Sequence, residues 1–117
     1  MLGKHLILDL RECSKVPLDD LDFIKNVLYS VAKEAGASIA GESFHHFHPQ
    51  GVSGAVLITG AHICIHTWPE YNYAALDILT YGDHVHPDEA ARLIIEKLES
   101  KDPSIVELKR GLDQCKT

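Results

Sequence analysis

The chain has 117 residues, of which 45% are hydrophobic, and a formal net charge of −6. That length suits one compact domain, and its apolar runs are far shorter than the roughly 20 residues that cross a bilayer, which excludes a membrane-spanning role. The acidic balance, with no cluster of Lys and Arg anywhere, argues against nucleic-acid binding, which needs a basic stripe to displace counterions.

The start, Met1-Leu2-Gly3-Lys4-His5, lacks the apolar core of a signal peptide, so the expected location is the cytoplasm. Cys13, Cys64 and Cys115 are odd in number and scattered. They form neither a disulfide framework nor a zinc ribbon, and leave one reactive thiol open.

In chain order, His5 to Leu10 alternates Leu6, Leu8 and Leu10 with Ile7 and Asp9, the pattern of a half-buried strand. Asp19 or Asp20 can cap the helix that follows, in which Leu21, Ile24, Leu28, Val31 and Ala35 recur at helical spacing before Gly36 stops it. Ala37 to Phe47 reads as a strand with Ile39, His45 and Phe47 on one face, ended by Pro49-Gln50-Gly51. Ala55 to Thr59 and His62 to Trp68 form a hairpin across Gly60-Ala61, and Pro69 ends its second arm. Tyr73 to Tyr81 is a further strand. Pro87 opens a second helix with Ala90, Ile94 and Leu98 buried, and Ser104 to Leu108 is a last strand.

The order β-α-β-β-β-β-α-β predicts an α+β fold. It is a two-layer αβ sandwich, an antiparallel sheet covered on one face by two helices. The other face is left for a ligand or a second copy of the chain. The domain is expected to span residues 1–110, with 111–117 a frayed tail.

Chemistry concentrates in the histidines: the chain has eight, and five fall between His45 and His66. On the second arm of the hairpin, His62, Cys64, His66 and Trp68 must share one face, because strand side chains alternate. A row of partly exposed, hydrogen-bonded histidines explains that composition as readily as a site does. The segment His66-Thr67-Trp68-Pro69-Glu70-Tyr71 is more specific: it puts a proton-transfer group, a stacking surface, a rigid turn and a carboxylate within six residues.

Together with Gly51-Val52-Ser53-Gly54, the run Phe44-His45-His46-Phe47 and the later YAALDILTYGD strand, this segment closely resembles one family. It is the small prokaryotic S-adenosylmethionine decarboxylases of spermidine (polyamine) biosynthesis, and the resemblance runs from Gly3-Lys4-His5 through the second helix. It implies an S-adenosylmethionine decarboxylase-like fold and a pyruvoyl enzyme, a carboxy-lyase. Members are made as proenzymes that cut a Glu-Ser bond in their own backbone. The serine becomes a pyruvoyl group that serves as electron sink for decarboxylation.

Counting back from His66 places that Glu-Ser pair at Gly60-Ala61. The methyl of Ala61 offers neither the nucleophile nor the leaving group that this chemistry needs. Register also places Tyr81 where the family has its proton-donating cysteine, and a phenol with an ordinary pKa suits that task less well. The binding parts match: Phe47 and Trp68 fall on the aromatic pair that sandwiches adenine, and Glu70 on the carboxylate that holds ribose hydroxyls. Ser53 and His66 fall on the residues that assist self-cleavage. Without the resemblance, Phe47 reads as core, Trp68 as a strand-end plug and Glu70 as a solvated turn residue.

The leading expectation is therefore a family member that does not self-cleave and carries no pyruvoyl cofactor. It would bind S-adenosylmethionine or an analogue, as a homodimer or beside an active paralogue, with no nucleic-acid or membrane partner. A second reading is an enzyme of the same fold using Cys64 flanked by His62 and His66. A third is a zinc or nickel site drawn from His45, His62, His66 and His84 or His86; no ligand motif supports it, and the expected metal content is none.

Overall fold

A computed structural model describes residues 2–82 and 85–112. Six strands, β1 (Gly3–Arg11), β2 (Ile39–His46), β3 (Val52–Ile58), β4 (Ala61–Trp68), β5 (Tyr73–Tyr81) and β6 (Asp102–Arg110), form one sheet in the order β2-β3-β4-β5-β1-β6. Every neighbouring pair is antiparallel. The helices are α1 (Lys15–Leu18), α2 (Leu21–Glu34) and α3 (Pro87–Lys97), with a 3-10 turn at Pro69–Tyr71. The two-layer α+β sandwich is as the periodicity predicts, with one short helix, α1, added. Its four residues are too few to leave a periodic trace.

The alternation in β1 builds the core. Leu6, Leu8 and Leu10 are buried, while His5, Ile7 and Asp9 face the other way. Ile63, Ile65, Leu76, Ile78, Val52 and Val56 join the buried side, and α2 and α3 cover it with Ile24, Val27, Leu28, Val31, Ala90 and Ile94. Each Val, Leu or Ile among them contributes about 1.5–3 kcal/mol by leaving water. The Asp20 carboxylate caps α2 by accepting from Phe23 N at 3.1 Å, and Gly36, with φ 75°, takes the left-handed position beyond its last turn. Pro87 occupies the first turn of α3. Among the described residues no helix is long and apolar enough to cross a membrane.

The structure departs from the sequence reading at several points. A bulge between Ile39 and Gly41 shifts the pairing of β2 with β3, so Ile39 stands opposite Ile58 on the helix side and His45 opposite Ser53 on the other. One extra residue reverses the facing of everything before it. The hairpin turns at Thr59-Gly60, not Gly60-Ala61: Ala61 is the first residue of β4 and pairs with Ile58. Gly60 has φ 76°, which a side-chain-bearing residue adopts at a cost. β6 extends to Asp102 and Arg110, and it tolerates Pro103 because it is an edge strand. Leu2 N still donates to Arg110 O. The rest of the expected tail, from residue 113 on, lies outside the described residues, as does His84.

Candidate functional site

The face away from the helices carries nearly all the chemically active side chains. Along β4, His62, Cys64, His66 and Trp68 all lie on it, as their spacing predicts, while Ala61, Ile63, Ile65 and Thr67 are buried on the other. From β5 come Tyr73, Asp77 and Tyr81, from β3 Ser53, and from β2 His45.

One end of this open face holds the expected binding groups. Ser53 and His66 are direct cross-strand partners, and a 2.7 Å hydrogen bond joins Ser53 Oγ to His66 Nδ1. Trp68 lies 5.4 Å from the Tyr73 ring and 6.3 Å from His66, centroid to centroid. Phe47 packs edge-on against His45 at 4.5 Å. Gly51, just before β3, stands beside Phe47. Its carbonyl accepts from Phe47 N at 2.8 Å, and a Cβ there would meet the Thr67 carbonyl at 3.1 Å. With φ 108° as well, this buried position leaves little room for any side chain, which suits a glycine. Glu70 is exposed on the 3-10 turn at the same end and makes no hydrogen bond or ion pair among the described residues.

Buried Thr67 fixes this end. Its hydroxyl donates to Leu18 O at 2.7 Å and accepts from Val52 N at 2.8 Å, tying α1 to β3 and β4. Asp19 adds a second tie, accepting from Gly51 N at 2.8 Å and pairing with His46 at 3.0 Å. The Gly51 N–H first, and then His46, hold the Asp19 carboxyl below its ordinary pKa. At the lower edge the Tyr73 hydroxyl donates to Asp9, which, with burial, pushes its pKa up to about 12.

Ala61 and Tyr81 sit together at the opposite end. Tyr81 N donates to Gly60 O at 2.8 Å, and the Tyr81 ring is exposed beside a hollow of about 530 Å³ lined by Leu2, Leu79 and Arg110. Ala61 is 3% exposed, its methyl turned to the helix side. His66 is five residues further along β4, so about 16 Å separates Ala61 from the Ser53–His66 pair at ~3.3 Å per strand residue.

The two other readings of the histidines do not assemble as expected. Cys64 lies between His62 and His66, but His62 is engaged by Asp77 at 2.9 Å and His66 by Ser53. Burial and the Asp77 charge push the Cys64 thiol up, away from the nucleophilic thiolate. His45, His62 and His66 do not converge on a common point. Among the described residues, the one group of ligand side chains close enough to hold a metal is His5, His62 and Asp77. His5 and Asp77 escaped the sequence reading because strand pairing alone brings residues so distant in sequence together.

Comparison with known proteins agrees with this fold. The family model for S-adenosylmethionine decarboxylase matches residues 4–111. The chain is 50% identical over 111 residues to an S-adenosylmethionine decarboxylase proenzyme of Thermodesulfovibrio yellowstonii, covering 95% of this chain and 82% of that protein. A proenzyme of the same description from Prochlorococcus marinus is 48% identical over 110 residues, covering 94% and 90%. The crystal structure of the adenosylmethionine decarboxylase from Aquifex aeolicus superposes with a TM-score of 0.89 at 32% identity, over 95% of this chain and 92% of that one. A Trypanosoma brucei AdoMetDC monomer, 10% identical with a TM-score of 0.63, shares the fold alone. With nearly its whole length matched in both sequence and fold, the chain belongs to the S-adenosylmethionine decarboxylase family.

Proposed function

We propose that this family member binds an adenosyl-sulfonium ligand, S-adenosylmethionine or a close analogue, without cutting its own backbone. The observation that carries the reading is Ala61, which stands where the family resemblance puts the serine that becomes pyruvoyl. Self-cleavage needs a side-chain oxygen to attack the preceding carbonyl and later to leave by elimination. A methyl group can do neither, and Thr80, the cross-strand partner of Ala61, is not part of the bond to be cut. The residues present do not fit a pyruvoyl group, so no decarboxylation step is assigned to this chain. Tyr81 in place of the proton-donating cysteine points the same way.

The binding end supports the other half of the proposal. Phe47 and Trp68 are two strands apart, about 9–10 Å at ~4.8 Å per strand. A planar base touching a ring on each side at ~3.5–4.0 Å needs about 7–8 Å, so modest inward tilting of the rings closes on it. Glu70, exposed at the rim of such a slot, is placed to accept from ribose hydroxyls. Aromatic faces also attract a sulfonium through their negative π clouds.

The separation of Ser53–His66 from Ala61 within one chain favours a homodimer. A second copy laid across the open face and turned by a two-fold axis would bring the hairpin of one over the Ser53–His66 end of the other. The same observation favours a second reading, in which the partner is an active paralogue and this chain lends it Ser53 and His66 as a regulatory subunit. Either role lies within cytoplasmic spermidine biosynthesis.

Intact mass spectrometry of the purified chain, with and without a carbonyl-reactive hydroxylamine, tests the covalent claim. One species of full mass with no adduct is expected. Two fragments, one beginning at residue 61 and taking up the reagent, would overturn it.

A further inference from the structure

Two histidines and an aspartate from three neighbouring strands converge on the open face, apart from the Ser53–His66 pair. His5 on β1 and His62 on β4 stand opposite the same residue of β5, Leu79, one on each side. Asp77 lies two residues back on β5 and shares their face. It therefore sits diagonally between the two imidazoles, within reach of both. Asp77 Oδ1 is 3.1 Å from His5 Nε2 and 2.9 Å from His62 Nε2, and the rings stand at 85° with centroids 6.2 Å apart. All three ligand atoms lie within 4.8 Å of one another.

These are metal-ligand spacings. Zinc bonds of about 2.0–2.1 Å in a tetrahedral site put neighbouring ligand atoms roughly 3.3 Å apart, close to the two nitrogen–oxygen distances present. Two imidazoles and one carboxylate are also a ligand set that divalent transition metals accept with open positions left for water or substrate. The half-buried setting keeps the trio partly out of water without sealing it. We propose that His5 Nε2, His62 Nε2 and the Asp77 carboxylate form a binding site for a divalent transition metal, zinc being the best match, with water in the fourth position. Cys64 stands directly across from Asp77 on β4.

Three contacts oppose the metal: both Nε2 atoms hydrogen-bond the Asp77 carboxylate, so each must give up its proton there, and Arg110 holds the far side of His5. Arg110 Nη1 lies 3.0 Å from His5 Nδ1. Arginine stays protonated, so this bond makes Nδ1 an acceptor and leaves the proton on Nε2, the atom the metal needs. Metal binding must move that proton to Nδ1 and release Arg110, which is exposed.

The test uses the full chain without an affinity tag, stripped by a chelator and titrated with zinc chloride in a calorimeter. About one equivalent per chain is expected, at micromolar affinity or tighter. His62→Gln and Asp77→Asn should each weaken it at least about tenfold, while His66→Gln leaves it unchanged. Arg110→Gln keeps all three ligands and removes one opposing contact, so zinc should bind about two- to tenfold tighter. That variant decides the matter if the ligand variants fail to fold. No saturable uptake, uptake that follows His66 instead of His62 and Asp77, or equal or weaker binding by Arg110→Gln would each overturn the site.

Discussion

The two ends of the sheet differ in what they carry. At one end stand Ser53, His66, Phe47, Trp68 and Glu70, which the family resemblance assigns to binding and processing, and Thr67 and Asp19 brace the backbone around them. At the other, the residues that would make and use the cofactor read Ala61 and Tyr81. The same strand, β4, runs through both ends, and its buried residues Ile63 and Ile65 pack the same core. On the proposed reading, recognition and chemistry are separable on this scaffold.

The sharpest way to break that comparison is to put the missing atom back. Ala61→Ser keeps Gly60, whose positive φ the turn needs, and restores the nucleophile. If Ser53 and His66 still support self-cleavage, the variant should go from no detectable cutting to two fragments by intact mass. Continued absence of cutting would mean that the retained end has lost its processing role too.

A smaller effect sharpens the binding side. Trp68→Ala and Glu70→Gln should each weaken S-adenosylmethionine by about one to two decades in calorimetry, the loss of a desolvated contact of roughly 1–3 kcal/mol. Tyr81→Cys, at the opposite end, should tighten binding if the phenol crowds the space meant for the methionine part.

The smallest effect is a pH dependence at the braced end. The Tyr73 pKa is raised to about 12 by its bond to Asp9. A raised folded-state pKa contributes stability that is whole below the unfolded value of 10 and is lost as pH rises through about 12. Tyr73→Phe should flatten the loss of thermal stability between those pH values and change little near neutrality. An unchanged alkaline slope would remove Tyr73 from the account.

Much of this was legible in the sequence. The strand alternation of Leu6, Leu8 and Leu10 and the helical recurrence of Ile24, Leu28 and Val31 carried the element order, because burial imposes those periods directly. The shared facing of His62, Cys64, His66 and Trp68 followed from the same alternation. The bulge before Gly41 did not show, since an inserted residue in a polar edge strand disturbs no hydrophobic pattern. Nor did the turn position: Gly60 marked the hairpin, but only the pairing of Ile58 with Ala61 assigns Ala61 to the strand. His5 and Asp77 were invisible as partners of His62, because spacing along a chain carries no information about strand order.

The proposed role is recognition of an adenosyl-sulfonium ligand that is left intact. Calorimetric titration of wild-type protein with S-adenosylmethionine, followed by analysis of the recovered ligand, tests it most directly. Saturable binding at micromolar to millimolar ligand, with the carboxylate fully recovered, is the predicted result. No heat at saturating ligand, or release of carbon dioxide, would contradict it.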